Sequence, residues 1–154
     1  MLQLDPMTAG EYVQYLATAV DQYARDTARG WKRPLEETQA NAQKDYDQLL
    51  PQGLATPNNF LFTAREGGRR IGMVWLAITD RPSGKSAYIY NIEVEQAQRG
   101  KGFGRQLLAA IESKAAEEGA NRIGLNVFGY NTAARALYES AGFEVGAIGM
   151  YKAL

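Results

Sequence analysis

The stretch EVEQAQRGKGFGRQLL, Glu93 to Leu108, decides how this chain is read. Gly100, Gly102 and Gly104 alternate there with Lys101 and Phe103, flanked by Arg99 and Arg105. Glycine costs backbone entropy, so a cluster at a helix entrance implies a tight bend or a ligand against the main chain. Leu107, Leu108, Ile111 and Ala115 follow at helical spacing, which predicts a helix as far as Gly119. Before the glycines, SAYIYNIEV reads as a strand ending at Val94; after the helix, RIGLNV reads as another. A strand–helix–strand unit of this length brings its two strands parallel.

Outward from this unit, the pattern stays mixed. Met1 to Leu4 reads as a short first strand. Thr8 and Glu11 form a capping box, and Val13, Leu16, Ala17 and Val20 predict a helix to about Arg29, ended by Gly30. Pro34 suits the first turn of a second helix, to about Leu50, with Ala42, Tyr46, Leu49 and Leu50 as its apolar residues. LLPQGLATPNN is a loop. NFLFTARE and RIGMVWLAI flank Gly67-Gly68 as a hairpin, and DRPSGK is a further turn. NTAARALYESAG is a short helix with Asn131 at its N-cap and Gly142 at its end, and FEVGAIGMYKAL reads as strand material. Residues 1–154 read as a single domain of α/β (α+β) class with a mostly antiparallel sheet.

Composition removes several chemistries. The chain has neither cysteine nor histidine. Disulfides, thiolate metal sites, a cysteine nucleophile and the commonest neutral-pH base are excluded, and no metal is expected. Proton transfer must use Tyr, Lys, Asp, Glu, the backbone or water. Seventeen basic and seventeen acidic residues cancel. Neither nucleic acid nor a membrane is therefore an expected partner. No signal-peptide pattern or bilayer-length apolar run is seen, and the expectation is a cytoplasmic protein.

Three readings of the glycine segment compete. A Walker-type loop fails because neither Ser nor Thr follows Lys101. A dinucleotide fingerprint fails because Arg105 stands where its third glycine belongs. A pyrophosphate cradle of another kind remains, in which successive N–H groups curl round an anion at a helix N-terminus. A flexible turn with a solvated basic edge is the bland alternative.

Arg99–Gly104, after a strand ending in Val94, fits R-x-x-G-x-G, and Asn131–Phe143, NTAARALYESAGF, follows a helix and a strand later. This ordered pair of motifs resembles the GNAT family of N-acetyltransferases, from about Phe60 to the C-terminus. The resemblance implies a mixed, mostly antiparallel sheet with about four helices and splayed central parallel strands. It implies acetyl-CoA as co-substrate, with pantetheine amides on the main chain at Ile92 and Val94 as if they met an added strand. Val94 N–H is then the oxyanion donor. Arg99, Gly100, Lys101, Gly102, Phe103 and Gly104 hold the pyrophosphate, and Asn131 and Ala134 border the pantetheine arm. Tyr138 matches the general acid that protonates the departing thiolate.

For the base, the sequence departs from that family. Its glutamates fall at positions held here by Tyr88 or Tyr90, and by Asn126. Asparagine orients water or substrate but accepts no proton. Glu93 is the strand's carboxylate, and period-two alternation places it opposite Tyr88 and Tyr90 unless a bulge turns it. The resemblance thus implies direct transfer to a primary amine of a small molecule or peptide. A non-catalytic CoA or acyl-CoA sensor with the same fold is the alternative, and a homodimer is left open. Tyr12, Tyr15, Tyr23, Trp31 and Tyr46 form either an aromatic acceptor pocket or packing between helices.

Overall fold

The computed structural model describes residues 2–154. Met1, placed in the first strand above, lies outside them. The described residues form two compact units: those up to Tyr15 with Leu50–Asn126, and Leu16–Leu49 with Val127–Leu154.

The first unit is built on a five-stranded sheet of order β1 (Leu2–Pro6), β2 (Asn59–Glu66), β3 (Arg69–Arg81), β4 (Gly84–Val94) and β5 (Ala120–Leu125). The first four strands are mutually antiparallel, and β5 is parallel to β4, as the strand–helix–strand reading requires. Gly67 and Gly68 have φ of 56° and 78°, the paired positive values that close a two-residue hairpin. The DRPSGK turn is shorter than the sequence suggests, because Arg81 already pairs with Gly84. Helix α3 (Phe103–Glu117) packs on the sheet. Its Leu107, Leu108, Ile111 and Ala115 are buried along with Val74, Leu76 and Ile89 of the strands. Each large aliphatic removed from water contributes roughly 1.5–3 kcal/mol.

One irregularity in the sheet changes the reading of β4. Trp75 pairs with Asn91, but the next residue, Leu76, pairs with Ile89. Tyr90 is therefore an extra residue, a β-bulge. Cross-strand partners share a face, so Met73, Trp75 and Ala77 carry Glu93, Asn91 and Tyr88 on one face. Glu93 thus lies on the same face as Tyr88, which corrects the alternation argument.

The other unit contains most of α1 (Ala9–Trp31), α2 (Leu35–Leu49) and α4 (Thr132–Ser140). The capping box forms at the start of α1: Thr8 N–H donates to Glu11 Oε1 at 3.0 Å, and Glu11 N–H to Thr8 Oγ1 at 3.1 Å. Gly30 does not end the helix. It continues to Trp31, and Lys32 takes the left-handed turn at φ 52°. The glycine serves close packing instead, since a Cβ on Gly30 would lie 2.5 Å from the Phe128 ring. Pro34 lies just outside α2, its carbonyl accepting Thr38 N–H at 3.2 Å. Ala42, Tyr46 and Leu50 are buried as expected, but Leu49 is exposed.

The C-terminal reading is also corrected. Residues 143–154 form no strand or helix. An apolar segment becomes a strand only beside a neighbour that takes its backbone hydrogen bonds. Gly146 and Gly149 also interrupt its apolar pattern.

Candidate functional site

In the first unit, β4 and β5 pair only from Lys85 to Ile89, so the last turn of β4 has no β5 partner. Glu95 N–H donates to Ile71 C=O at 2.8 Å, on the β3 side. Antiparallel alternation then turns Glu93 and Asn91 toward β3 and the N–H groups of Ile92 and Val94 toward the unpaired edge. Gly72 lets β3 approach this closely, since a Cβ there would lie 2.0 Å from Glu93 C=O. Arg99 Nε donates to Val94 C=O at 3.0 Å, tying the strand end to the glycine segment. The edge offers a row of amides to an extended ligand that is itself rich in amides.

The glycine segment continues from that edge. Gly100 and Gly102 have φ of 76° and 82°, and Gly102 is the N-cap of α3. A Cβ at either would meet no atom within 4 Å, so dihedral angle and not crowding demands glycine here. Left-handed residues alternating with ordinary ones turn successive N–H groups into one concavity. The concavity sits at the positive end of a fifteen-residue helix. Lys101 Nζ reaches Gln98 Oε1 at 3.3 Å and is exposed. Phe103 and Gly104 begin α3. The arrangement suits a diphosphate bound mainly by backbone.

The Glu93 face holds an aromatic cluster that the sequence reading missed. Tyr90, on the bulge, stacks on Trp75 with ring centroids 4.5 Å apart and meets Tyr88 edge-on at 4.7 Å. Trp75 Nε1 donates to Asn59 Oδ1 at 2.8 Å, and Asn91 Nδ2 to the buried Tyr15 hydroxyl at 2.9 Å. The bulge carries the cluster, and a single strand's sequence contains no sign of a bulge. Gly72, inside the apolar run RIGMVW, was the available signal of a close backbone approach. Asn126 follows β5 and is exposed.

In the other unit, Asn131 caps α4, its Oδ1 accepting Ala134 N–H at 3.2 Å. Its capping role is thereby observed. Tyr138 is half-buried one turn beyond Ala134, with the Phe143 ring 5.9 Å away. Burial raises the Tyr138 phenol above its ordinary value of 10.0. It stays protonated across neutral pH and can donate. Tyr23 and Tyr46 meet edge-on at 6.1 Å, and Tyr23 and Trp31 border an open cavity of about 290 Å³ with Arg33 and Asp45. The five aromatics grouped above are therefore divided: Tyr12 and Tyr15 belong to the first unit, and Tyr23, Trp31 and Tyr46 to the other.

Residues 16–143 match the model of the Acetyltransferase (GNAT) family. The chain belongs to the GNAT family. A relative, "Uncharacterized N-acetyltransferase YycN" of Bacillus subtilis strain 168, is 31% identical over 99% of both chains. The crystal structure of YycN superimposes with TM-score 0.95, covering 100% of this chain and 99% of that one. Mycothiol acetyltransferase of Kocuria rhizophila is 37% identical over 65% of this chain but 34% of its own length. The chain is an N-acetyltransferase, as its full-length relatives YycN and YdgE of Bacillus subtilis are named, and acetyl-CoA is the general donor of the family. Among the described residues, no helix is long and apolar enough to cross a membrane.

Proposed function

We propose that the 154 residues act as one catalytic domain that moves an acetyl group from acetyl-CoA directly to a primary amine of a small molecule or peptide. The observation that supports this most is the unpaired β4 edge at Ile92 and Val94, running into the left-handed turn at Gly100 and Gly102. Amide edge and diphosphate cradle together match the two polar parts of coenzyme A.

Pantetheine amides pair with the main chain of Ile92 and Val94, and Arg99–Gly104 hold the diphosphate. Asn131 and Ala134 border the pantetheine arm. The amine lone pair attacks the thioester carbonyl, and Val94 N–H receives the developing oxyanion charge. The amine proton passes to Glu93, directly or through water ordered by Asn126. The bulge favours Glu93 because it sets this carboxylate on the face of Tyr88 and Asn91. The C–S bond breaks, and Tyr138 protonates the thiolate. Amide and free thiol are the products. A cytoplasmic enzyme is the reading that accompanies this chemistry.

The test is thiol release on mixing the protein with acetyl-CoA and a panel of amines. The chain has no cysteine, so a thiol-reactive dye reports coenzyme A alone. Acetyl-CoA binding without amine-dependent thiol would favour the sensor reading. Absence of binding would refute both.

A further inference from the structure

β4 gathers side chains on one face that a regular strand would keep apart. Alternation separates Tyr90 from Glu93, but the bulge at Tyr90 removes that limit. Tyr88, Asn91 and Glu93 lie opposite Ala77, Trp75 and Met73 on one face. Tyr90 joins them, its ring stacked on Trp75 at 4.5 Å and edge-on to Tyr88 at 4.7 Å. Three rings and a carboxylate thus follow one another along strands that lie wholly within the first unit.

Two polar groups of this face are committed within the protein: Trp75 Nε1 donates to Asn59, and Asn91 Nδ2 to Tyr15. Asp5, which shares the face through Thr63 and Met73, is paired with Arg65, and so is Glu11. Glu93 has no ion-pair partner among the described residues. The face therefore offers a ligand ring surface and one unneutralised carboxylate. Their order is fixed too. The rings come first along β4, then Glu93, then Val94, whose N–H takes the oxyanion charge in the function proposed above. Trp75, under the Tyr90 ring, and Met73, opposite Glu93, are two residues apart on β3, a rise of about 7 Å. A ring joined to its nitrogen by a short carbon arm spans that distance.

We infer that the acceptor, which rests on that proposed function, is a monoamine carried on an aromatic ring by a short carbon arm. Its ring packs on Tyr90 and Tyr88, and its ammonium pairs with Glu93. Glu93 then takes the proton, the freed lone pair attacks the thioester carbonyl beside Val94, and the C–S bond breaks. Ring packing adds to the burial of apolar area, and a cation near the ring faces is attracted by their π-electrons. One open carboxylate matches one ammonium. A polyamine would bring further charges that find no unpaired carboxylate on this face, and an aliphatic monoamine would leave the rings unused.

Thiol release with 2-phenylethylamine, n-butylamine and spermidine tests the class. In the wild type, kcat/KM for 2-phenylethylamine should exceed that for each of the others by roughly tenfold or more. Equal values, or a preference for spermidine, would overturn the inference. Tyr90→Ala should bring the ratio of 2-phenylethylamine to n-butylamine close to one, whereas Tyr90→Phe, which keeps the ring, should retain it. A ratio unchanged in Tyr90→Ala would overturn the role of the rings. Tyr88→Ala replaces Tyr90→Ala if the latter does not fold. If no amine releases thiol, the proposed transfer fails, and calorimetry with coenzyme A present still decides the acceptor site. There 2-phenylethylamine should bind roughly tenfold more tightly than n-butylamine or spermidine, and equal or absent binding would overturn the inference.

Discussion

Tyr138→Phe separates catalysis from packing more cleanly than any other substitution here. The phenol makes no hydrogen bond among the described residues, and burial is the cause of its raised pKa. Removing the oxygen leaves no partner unpaired and keeps the ring beside Phe143. Stability should change by less than about 0.5 kcal/mol. If the phenol protonates the thiolate, turnover should fall roughly a hundredfold, a barrier increase of about 2.7 kcal/mol. Affinity for acetyl-CoA should change little, since amide edge and cradle are untouched. The pH profile is a separate check. The active form is the protonated phenol, and burial raises its pKa above the ordinary 10.0, so the wild-type rate should rise as the acceptor amine loses its proton and fall only above pH 10. The variant should lack that fall. Stopped-flow thiol release across pH, with thermal melts on the same samples, measures all of this. Unchanged turnover would refute the proton-donor role. Loss of turnover together with a markedly lower Tm would show that the tyrosine acts through packing.

Three further outcomes are expected. Gly102→Val should abolish coenzyme A binding in calorimetry while the domain remains folded, because the strain of φ 82° on a side chain is only about 1–2 kcal/mol and its Cβ meets no atom. Glu93→Gln should slow transfer by roughly a hundredfold, more at low pH where the amine is charged, and steady-state kinetics with an unchanged rate would remove Glu93 as the proton acceptor. Glu11 is held below its ordinary 4.5, chiefly by the hydrogen bond from Thr8 N–H. Its stabilisation is present above that ordinary value and lost as pH falls through the lowered one. Melts from pH 7 to 3 should show a smaller acid-induced drop for Glu11→Gln than for wild type.

Much of the fold was legible because its causes are local. The capping box of Thr8 and Glu11, the Gly67-Gly68 hairpin and the Asn131 cap each depend on atoms a few residues apart, so a short window contains the whole cause. The glycine segment was legible for the same reason, since a positive φ at Gly100 and Gly102 is a property of single residues. What the window could not contain was decided by tertiary structure. The bulge at Tyr90 exists only as a mismatch with Trp75 and Leu76 on the neighbouring strand, and it reverses the face of Glu93. Gly30 reads as a helix stop until Phe128, far along the chain, is seen lying where its side chain would be. Residues 143–154 have strand composition, but a strand requires a neighbouring backbone, and composition cannot provide one. Local sequence determined turns, caps and the phosphate-type cradle, because short-range sterics and hydrogen bonds suffice for them. Only the assembled sheet decided which side chains face one another, because that depends on how distant backbones pair.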